Sequence, residues 1–159
     1  MPRNERVIRD TAEQSAAVMA RAGFPKMPAR VLMNLMVSDE AGLTATDLAQ
    51  RLGVSAAAIS GAVRYLQLLG YLRRTAQAGS RRDRYELPEG SWYTSTLDRN
   101  PLLEVLAGLA ERAVAAIDDA SAPGSLRSDE MARFYRFLAA RMPALLREWE
   151  EVRSPGRRD

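Results

Sequence analysis

The chain has 159 residues, 47% of them hydrophobic, and a formal net charge of +3, which is one domain's worth of sequence with enough apolar content for a real core. It contains neither Cys nor His, so thiol redox sensing, zinc sites, imidazole acid–base chemistry and Ser-His-Asp or Cys-His catalysis are excluded by inventory, and no cofactor or enzyme activity is expected. No apolar run approaches the roughly 20 residues of a membrane span and the opening MPRNERVIRD lacks the hydrophobic core of a secretion signal, so a cytoplasmic protein with no membrane partner is expected.

Residues 4 to 22 space Val7, Ile8, Thr11, Ala12, Ser15, Val18, Met19 and Ala22 at helical intervals with charged residues between them, which predicts an amphipathic first helix. Gly23, Pro25 and Pro28 punctuate a loop with Phe24 and Met27 as plugs, ahead of a helix of about ten residues carrying Val31, Leu32, Leu35 and Met36. Asp39 to Gly42 closes that helix.

The next stretch, Leu43 to Leu87, is the most informative. Thr44 can cap a short helix, with Asp47 three residues on as a capping-box partner, and Leu48 and Leu52 share its buried face. Gly53 supplies a left-handed turn, Val54 plugs the corner and Ser55 caps a second helix. A connection this short predicts a helix-turn-helix. In the second helix Ile59, Val63 and Leu66, extended by Leu69, face inward, while Ala56, Ala57, Ser60, Gly61, Arg64 and Gln67 face outward. Gly70 ends it. Two runs, Tyr71 to Ala76 and Arg82 to Leu87, have the composition of a short hairpin, with Gln77, Ala78, Gly79, Ser80 and Arg81 as the turn. Alternation puts Tyr85 and Leu87 inward and Arg84 and Glu86 outward. Residues 43 to 85 hold seven arginines against two acids, a surplus of five, whereas the rest of the chain carries 16 basic and 18 acidic groups. Positive charge is thus gathered on this segment, as an electrostatic footprint for phosphate requires.

After the hairpin, Pro88 and Gly90 interrupt regular structure and Ser91, Trp92 and Tyr93 follow in a polar connecting segment. Asn100 then caps a helix with Pro101 at its first position and an apolar stripe of Leu102, Leu106, Leu109, Ala113 and Ile117. Ala122 to Ser125 makes a turn, and Ser128 is a cap for the last helix. There Met131, Leu138, Leu145 and Val152 recur every seven residues, with Tyr135, Met142 and Trp149 as the alternating set. Pro143 should kink or split that helix. The tail from Arg153 to Asp159, with Pro155 and Gly156, is read as frayed.

The run from LTATDLAQRLGVSAAAIS through LGYLRRT to GSRRDRY resembles the winged helix-turn-helix of the MarR-type bacterial transcriptional regulators, and most resembles the GbsR-like branch, whose wing also has a Gly, then Arg, then an aromatic. The resemblance covers about 65 residues, from Ala22 to Leu87. It implies a mainly α fold with a small β-hairpin wing: an N-terminal dimerisation helix (1–22), a winged helix-turn-helix DNA-binding domain (23–90) and a C-terminal helical dimerisation region (91–159).

The terminal helices have too little chain to cover their apolar seams, so a homodimer is expected, with Val7, Leu106, Leu109, Met131, Leu138, Met142, Leu145 and Trp149 across a two-fold axis. The expected partner is double-stranded DNA bearing a pseudo-palindromic operator, and the expected function that of a sequence-specific, ligand-responsive repressor. Its DNA-binding residues would be Thr44, Ser55, Ala56, Ala57, Ser60, Gly61 and Arg64, with Ser80, Arg81, Arg82 and Arg84 from the wing, and Asp83 orienting a neighbouring arginine. The second helix departs from the family: Ala56, Ala57 and Gly61 stand where relatives often place polar readers. Alanine methyls can meet only thymine methyls, so specificity should lean on close approach and DNA shape.

The resemblance also implies a small-molecule effector pocket between the DNA-binding lobe and the dimer helices. Phe24, Trp92, Tyr93, Phe134 and Tyr135 are the aromatics that could line one, although aromatics at lobe junctions also serve as plain packing. With no His and a single Lys, a weakly polar, aromatic-binding cavity is expected. The acidic pairs Asp118 with Asp119 and Glu150 with Glu151 are adjacent in sequence, point about 100° apart on a helix, and are read as solvated surface. The alternative overall is a winged-helix protein–protein interaction module, in which the alanine-rich face packs on a partner protein.

Overall fold

The computed structural model describes residues 4–76, 82–97 and 100–153. The wing turn from Gln77 to Arg81 and the tail beyond Arg153 lie outside the described residues. The chain divides into two compact units, Met1–Trp92 and Tyr93–Asp159. Among the described residues no helix is long and apolar enough to cross a membrane.

The first unit holds α1 (Glu5–Arg21), α2 (Lys26–Met36), β1 (Leu43–Thr44), α3 (Ala45–Leu52), α4 (Ala56–Leu68), β2 (Arg73–Ala76) and β3 (Asp83–Glu86). Asn4 caps α1, its Oδ1 accepting from the Val7 amide at 3.1 Å. Ala12 and Ala16 are buried where α1 lies along α2, while Val7 and Val18 are exposed. The second helix starts earlier than the prolines suggest: Pro25 is its N-cap, and Met27 and Pro28 are inside it. A proline in the first turn loses nothing, because the amide it lacks would have had no helical acceptor.

The core joins Val31, Leu32 and Leu35 of α2 to Leu43, to Leu48 and Leu52 of α3, and to Ile59, Ala62, Val63 and Leu66 of α4, closed by Tyr71 and Leu72. Leu69, Tyr85 and Leu87 pack against it as expected. The wing is not a two-stranded ribbon but a three-stranded antiparallel sheet of order β1-β3-β2, with Leu43 opposite Tyr85 and Thr44 opposite Arg84. A two-residue strand has no periodicity of its own. Its sequence cue is Gly42, where an added Cβ would lie 2.6 Å from Glu86 Cγ and 3.0 Å from the Tyr85 carbonyl oxygen, so only glycine admits β3 this closely.

The second unit holds α6 (Asn100–Ile117) and α7 (Pro123–Arg153), packed along one another. Before them, α5 (Ser91–Leu97) crosses the unit boundary; the segment expected to be irregular is helical. Two further expectations change, at Ser128 and Pro143. The α6 leucine stripe, expected at a two-fold axis, does not face α7: Leu103, Ala107 and Ala110 are buried, whereas Leu102, Leu109 and Ile117 are exposed and Leu106 is half-buried. Apart from Leu103, the buried positions of the two helices are small residues, Ala107 and Ala110 on α6 with Ser125, Ala132 and Ala139 on α7, as suits helices that pack closely along one another. Ser128 is not a cap, since α7 begins at Pro123. Nor does Pro143 split α7, which runs through it without a break, even though a proline there removes one helical hydrogen bond. Arg136 joins the two helices on the outside, gripping Glu111 with two bonds of 3.0 and 3.1 Å and also pairing Glu104. At this exposure the bridges order the surface and add little stability.

Candidate nucleic-acid interface

The helix-turn-helix is built as its residues dictate. The Thr44 hydroxyl accepts from the Asp47 amide at 3.1 Å and donates to Asp47 Oδ2 at 2.7 Å, while the Thr44 amide donates to the same carboxylate at 2.9 Å. These bonds, the hydroxyl first, hold the Asp47 carboxyl below its ordinary value. A carboxyl whose folded pKa is depressed stabilises the fold above its unfolded pKa and loses that contribution as the pH falls through the folded one. Thr44→Ala should therefore cost about 1 kcal/mol at neutral pH and make thermal stability fall less steeply between about pH 5 and pH 3. Melting curves of wild type and variant that stay parallel across that range would contradict it.

The cap has a consequence for the site. Thr44 is 8% exposed with its hydroxyl committed to Asp47, so it drops out of the expected contact surface and serves the fold. Gly53 makes the turn in the left-handed region, at φ 62° and ψ 40°, where a side chain would be strained. Arg30 secures the same corner: its Nη2 donates to the Leu52 carbonyl at 3.1 Å and its Nε lies 2.8 Å from Glu13 Oε2. One α2 side chain thus satisfies the open end of α3 and ties it to α1. Sequence periodicity could not reveal this role.

Ser55 caps α4, its Oγ accepting from the Ala58 amide at 3.2 Å. Beyond it Ala56, Ala57, Ser60, Gly61 and Arg64 are all exposed, and Gln67 is half-buried. These residues share one outward strip, as their spacing predicted. In the wing, Thr75 donates to Glu86 Oε1 at 2.7 Å, and Arg73 Nε lies 3.1 Å from Glu86 Oε2. The Thr75 hydroxyl, more than Arg73, holds the Glu86 carboxyl below its usual range. Asp83 pairs with Arg74 across the ladder. Arg82 is exposed, and Arg84 is half-buried with Nη1 donating to the Gly42 carbonyl at 3.2 Å. Ser80 and Arg81 lie outside the described residues.

These pairings revise the charge count. Arg51 pairs with Glu40, Arg73 with Glu86 and Arg74 with Asp83; two of those acids stand just beyond the segment that was counted. Arg64 is exposed and has no ion-pair or hydrogen-bond partner among the described residues, and Arg82 is exposed.

The aromatic set resolves into separate surroundings. Within the first unit Phe24 meets Tyr65 and Tyr71 edge-to-face, at 5.7 and 6.1 Å between ring centroids, on the edge of the core. Trp92 is exposed. Within the second unit Tyr93 is buried against Trp149 and donates its hydroxyl to Glu150, which Arg153 also grips at 3.1 Å. Glu150 is therefore a bonded group rather than bare surface, and the Tyr93 hydroxyl keeps its carboxyl below the ordinary value. Phe134, exposed, lies 6.0 Å from Tyr135. A hollow of about 710 Å³ in the first unit is lined by none of the five; charged and polar groups including Glu5, Arg9, Asn34, Glu40, Asp47 and Arg51 line it.

Comparison with known proteins agrees with this architecture. Residues 22–83 match the MarR family model, and residues 90–153 match that of the MmpR5-like MarR family transcriptional regulators. The HTH-type transcriptional regulator MmpR5 of Mycobacterium tuberculosis (strain ATCC 25618 / H37Rv) is 28% identical over 124 residues, covering 78% of this chain and 75% of that protein. A crystal structure of a transcriptional regulator superposes with a TM-score of 0.82 at 25% identity, covering 91% of this chain and 99% of that one.

Proposed function

We propose that this chain, which belongs to the MarR family of winged-helix transcriptional regulators, acts in the cytoplasm as a homodimeric, ligand-responsive repressor that occludes a pseudo-palindromic operator. Regulators of this family bind DNA, typically as dimers, and are not enzymes. The observation that carries the reading is the outward strip of α4, capped by Ser55 and holding Arg64, which has no partner among the described residues, together with a wing whose Arg82 is exposed. A helix of this width fits the major groove and its N-terminal residues reach base edges, while wing arginines suit the minor groove or flanking phosphates. The GbsR-like placement rests on the wing pattern GSRRDRY; the helices after the wing match the MmpR5-like model.

The test is selection of binding sites from a random duplex pool, followed by salt titration. Arg82→Ala should weaken binding to all sequences and flatten the salt dependence by about one unit of slope, whereas Arg64→Ala should relax discrimination at one base pair by roughly 1–3 kcal/mol. A protein-interaction module would select no sequence and show only weak retardation, with Kd in the range of about 10⁻⁴ to 10⁻⁶ M. An unchanged salt slope for Arg82→Ala would remove the phosphate contact from the account.

A further inference from the structure

Gly61 stands in the interior of α4, and nothing in the protein asks for it. Among the described residues the left-handed glycines are Gly23, Gly53, Gly70 and Gly90; Gly61 has ordinary helical backbone. A Cβ added there would meet no atom within 4 Å, the opposite of Gly42, whose missing side chain makes room for β3. Glycine is among the least favourable residues in a helix interior, because folding removes the most backbone freedom there and no side chain shields the peptide from water. The fold therefore bears a cost at Gly61 that no intramolecular contact returns.

Its surroundings indicate what returns it. Ala57 lies one turn before and Arg64 about one turn after, so the bare backbone edge is bracketed by a methyl and by a guanidinium without a partner among the described residues. A protein partner would be as well served by three small residues. A cation without a partner among the described residues, beside a strip whose side chains other than the Ser60 hydroxyl are methyls or hydrogen, suits a polyanion whose groove edge carries apolar groups, and in the major groove that group is the thymine 5-methyl. Resting on the DNA-binding reading above, we propose that Gly61 is the point of closest approach to the operator, where a thymine 5-methyl occupies the space a Cβ would fill.

The experiment uses the full chain and its selected operator, with affinity read by fluorescence anisotropy on duplexes carrying uracil in place of single thymines. G61A should melt about 2–5 °C higher, as the helix gains a better former, and bind the operator at least tenfold more weakly. At one thymine position of the half-site, uracil should weaken wild type about fourfold for each half-site substituted, the worth of one buried methyl, and uracil at that position in both half-sites together should restore most of the affinity that G61A has lost, because in each half-site one methyl has been exchanged for another. Binding by G61A within twofold of wild type overturns the proposal, as does weaker binding accompanied by a lower melting temperature, which would assign Gly61 to folding. Absence of rescue by uracil at any thymine overturns it too. If wild type selects no sequence, the DNA-binding reading falls with it; a selected operator that G61A binds normally removes this inference alone.

Discussion

Leu109→Glu combined with Phe137→Glu is expected to leave a folded protein that is monomeric at micromolar concentration and binds its operator at least 100-fold more weakly. Leu109 is 46% exposed and Phe137 60% exposed, so neither carboxylate enters the interior of the α6–α7 hairpin. They belong to a surplus of large apolar side chains on those two helices, with Leu102, Val105, Leu126 and Phe134 also exposed. Single exposed leucines are ordinary; this many on two adjoining helices mark an association surface. A second copy of the chain is the occupant we propose, since a homodimer bound to a two-fold operator needs the two recognition helices held together. Severing it turns the second half-site contact from an intramolecular event into an independent one, and the effective concentration lost is worth about 10²- to 10⁴-fold. Sedimentation velocity with far-UV circular dichroism measures the first effect and anisotropy the second. A variant that remains dimeric, or a monomer that keeps wild-type affinity, would contradict the assembly.

Leu48→Ala is expected to destabilise the first unit by about 3 kcal/mol. Leu48 is fully buried on α3 among the residues that α2 and α4 contribute to the core. Removing its branched end forfeits the transfer free energy of three carbons and leaves a cavity that the rigid helix-turn-helix corner, pinned by Gly53 and by Arg30 on the Leu52 carbonyl, cannot close. Since domains are stable by only roughly 5–15 kcal/mol, thermal unfolding should shift down by roughly 10 °C or more. Leu68, 83% exposed on α4, is the control, and its alanine variant should change stability by no more than about 0.5 kcal/mol. Equal effects at the two positions would mean that the core is not where the structure puts it.

The helix-turn-helix was legible because its signals are local. The Thr44–Asp47 box, the left-handed Gly53 and the Ser55 cap each act within three residues, and the inward spacing of Ile59, Val63 and Leu66 is a property of one helix. The outward strip followed from the same periodicity. What escaped was non-local. β1 exists because Leu43 and Thr44 pair with residues some forty positions later. Thr44 reads as a surface hydroxyl until the fold buries it.

On α6 the periodicity is real and marks the side turned away from the hairpin; what it did not reveal is that Leu103, Ala107 and Ala110 are the residues buried in this helix. The charge surplus was likewise a count without distances, and Glu40 and Glu86, just outside the counted segment, occupy Arg51 and Arg73. By itself the sequence determined where helices begin and turn and which residue types face outward on α4, because caps, turns and periodicity are short-range physics. Only the tertiary structure decided which apolar stripe is interior and which arginines are held in ion pairs, because burial and ion pairing depend on what distant parts of the chain bring alongside.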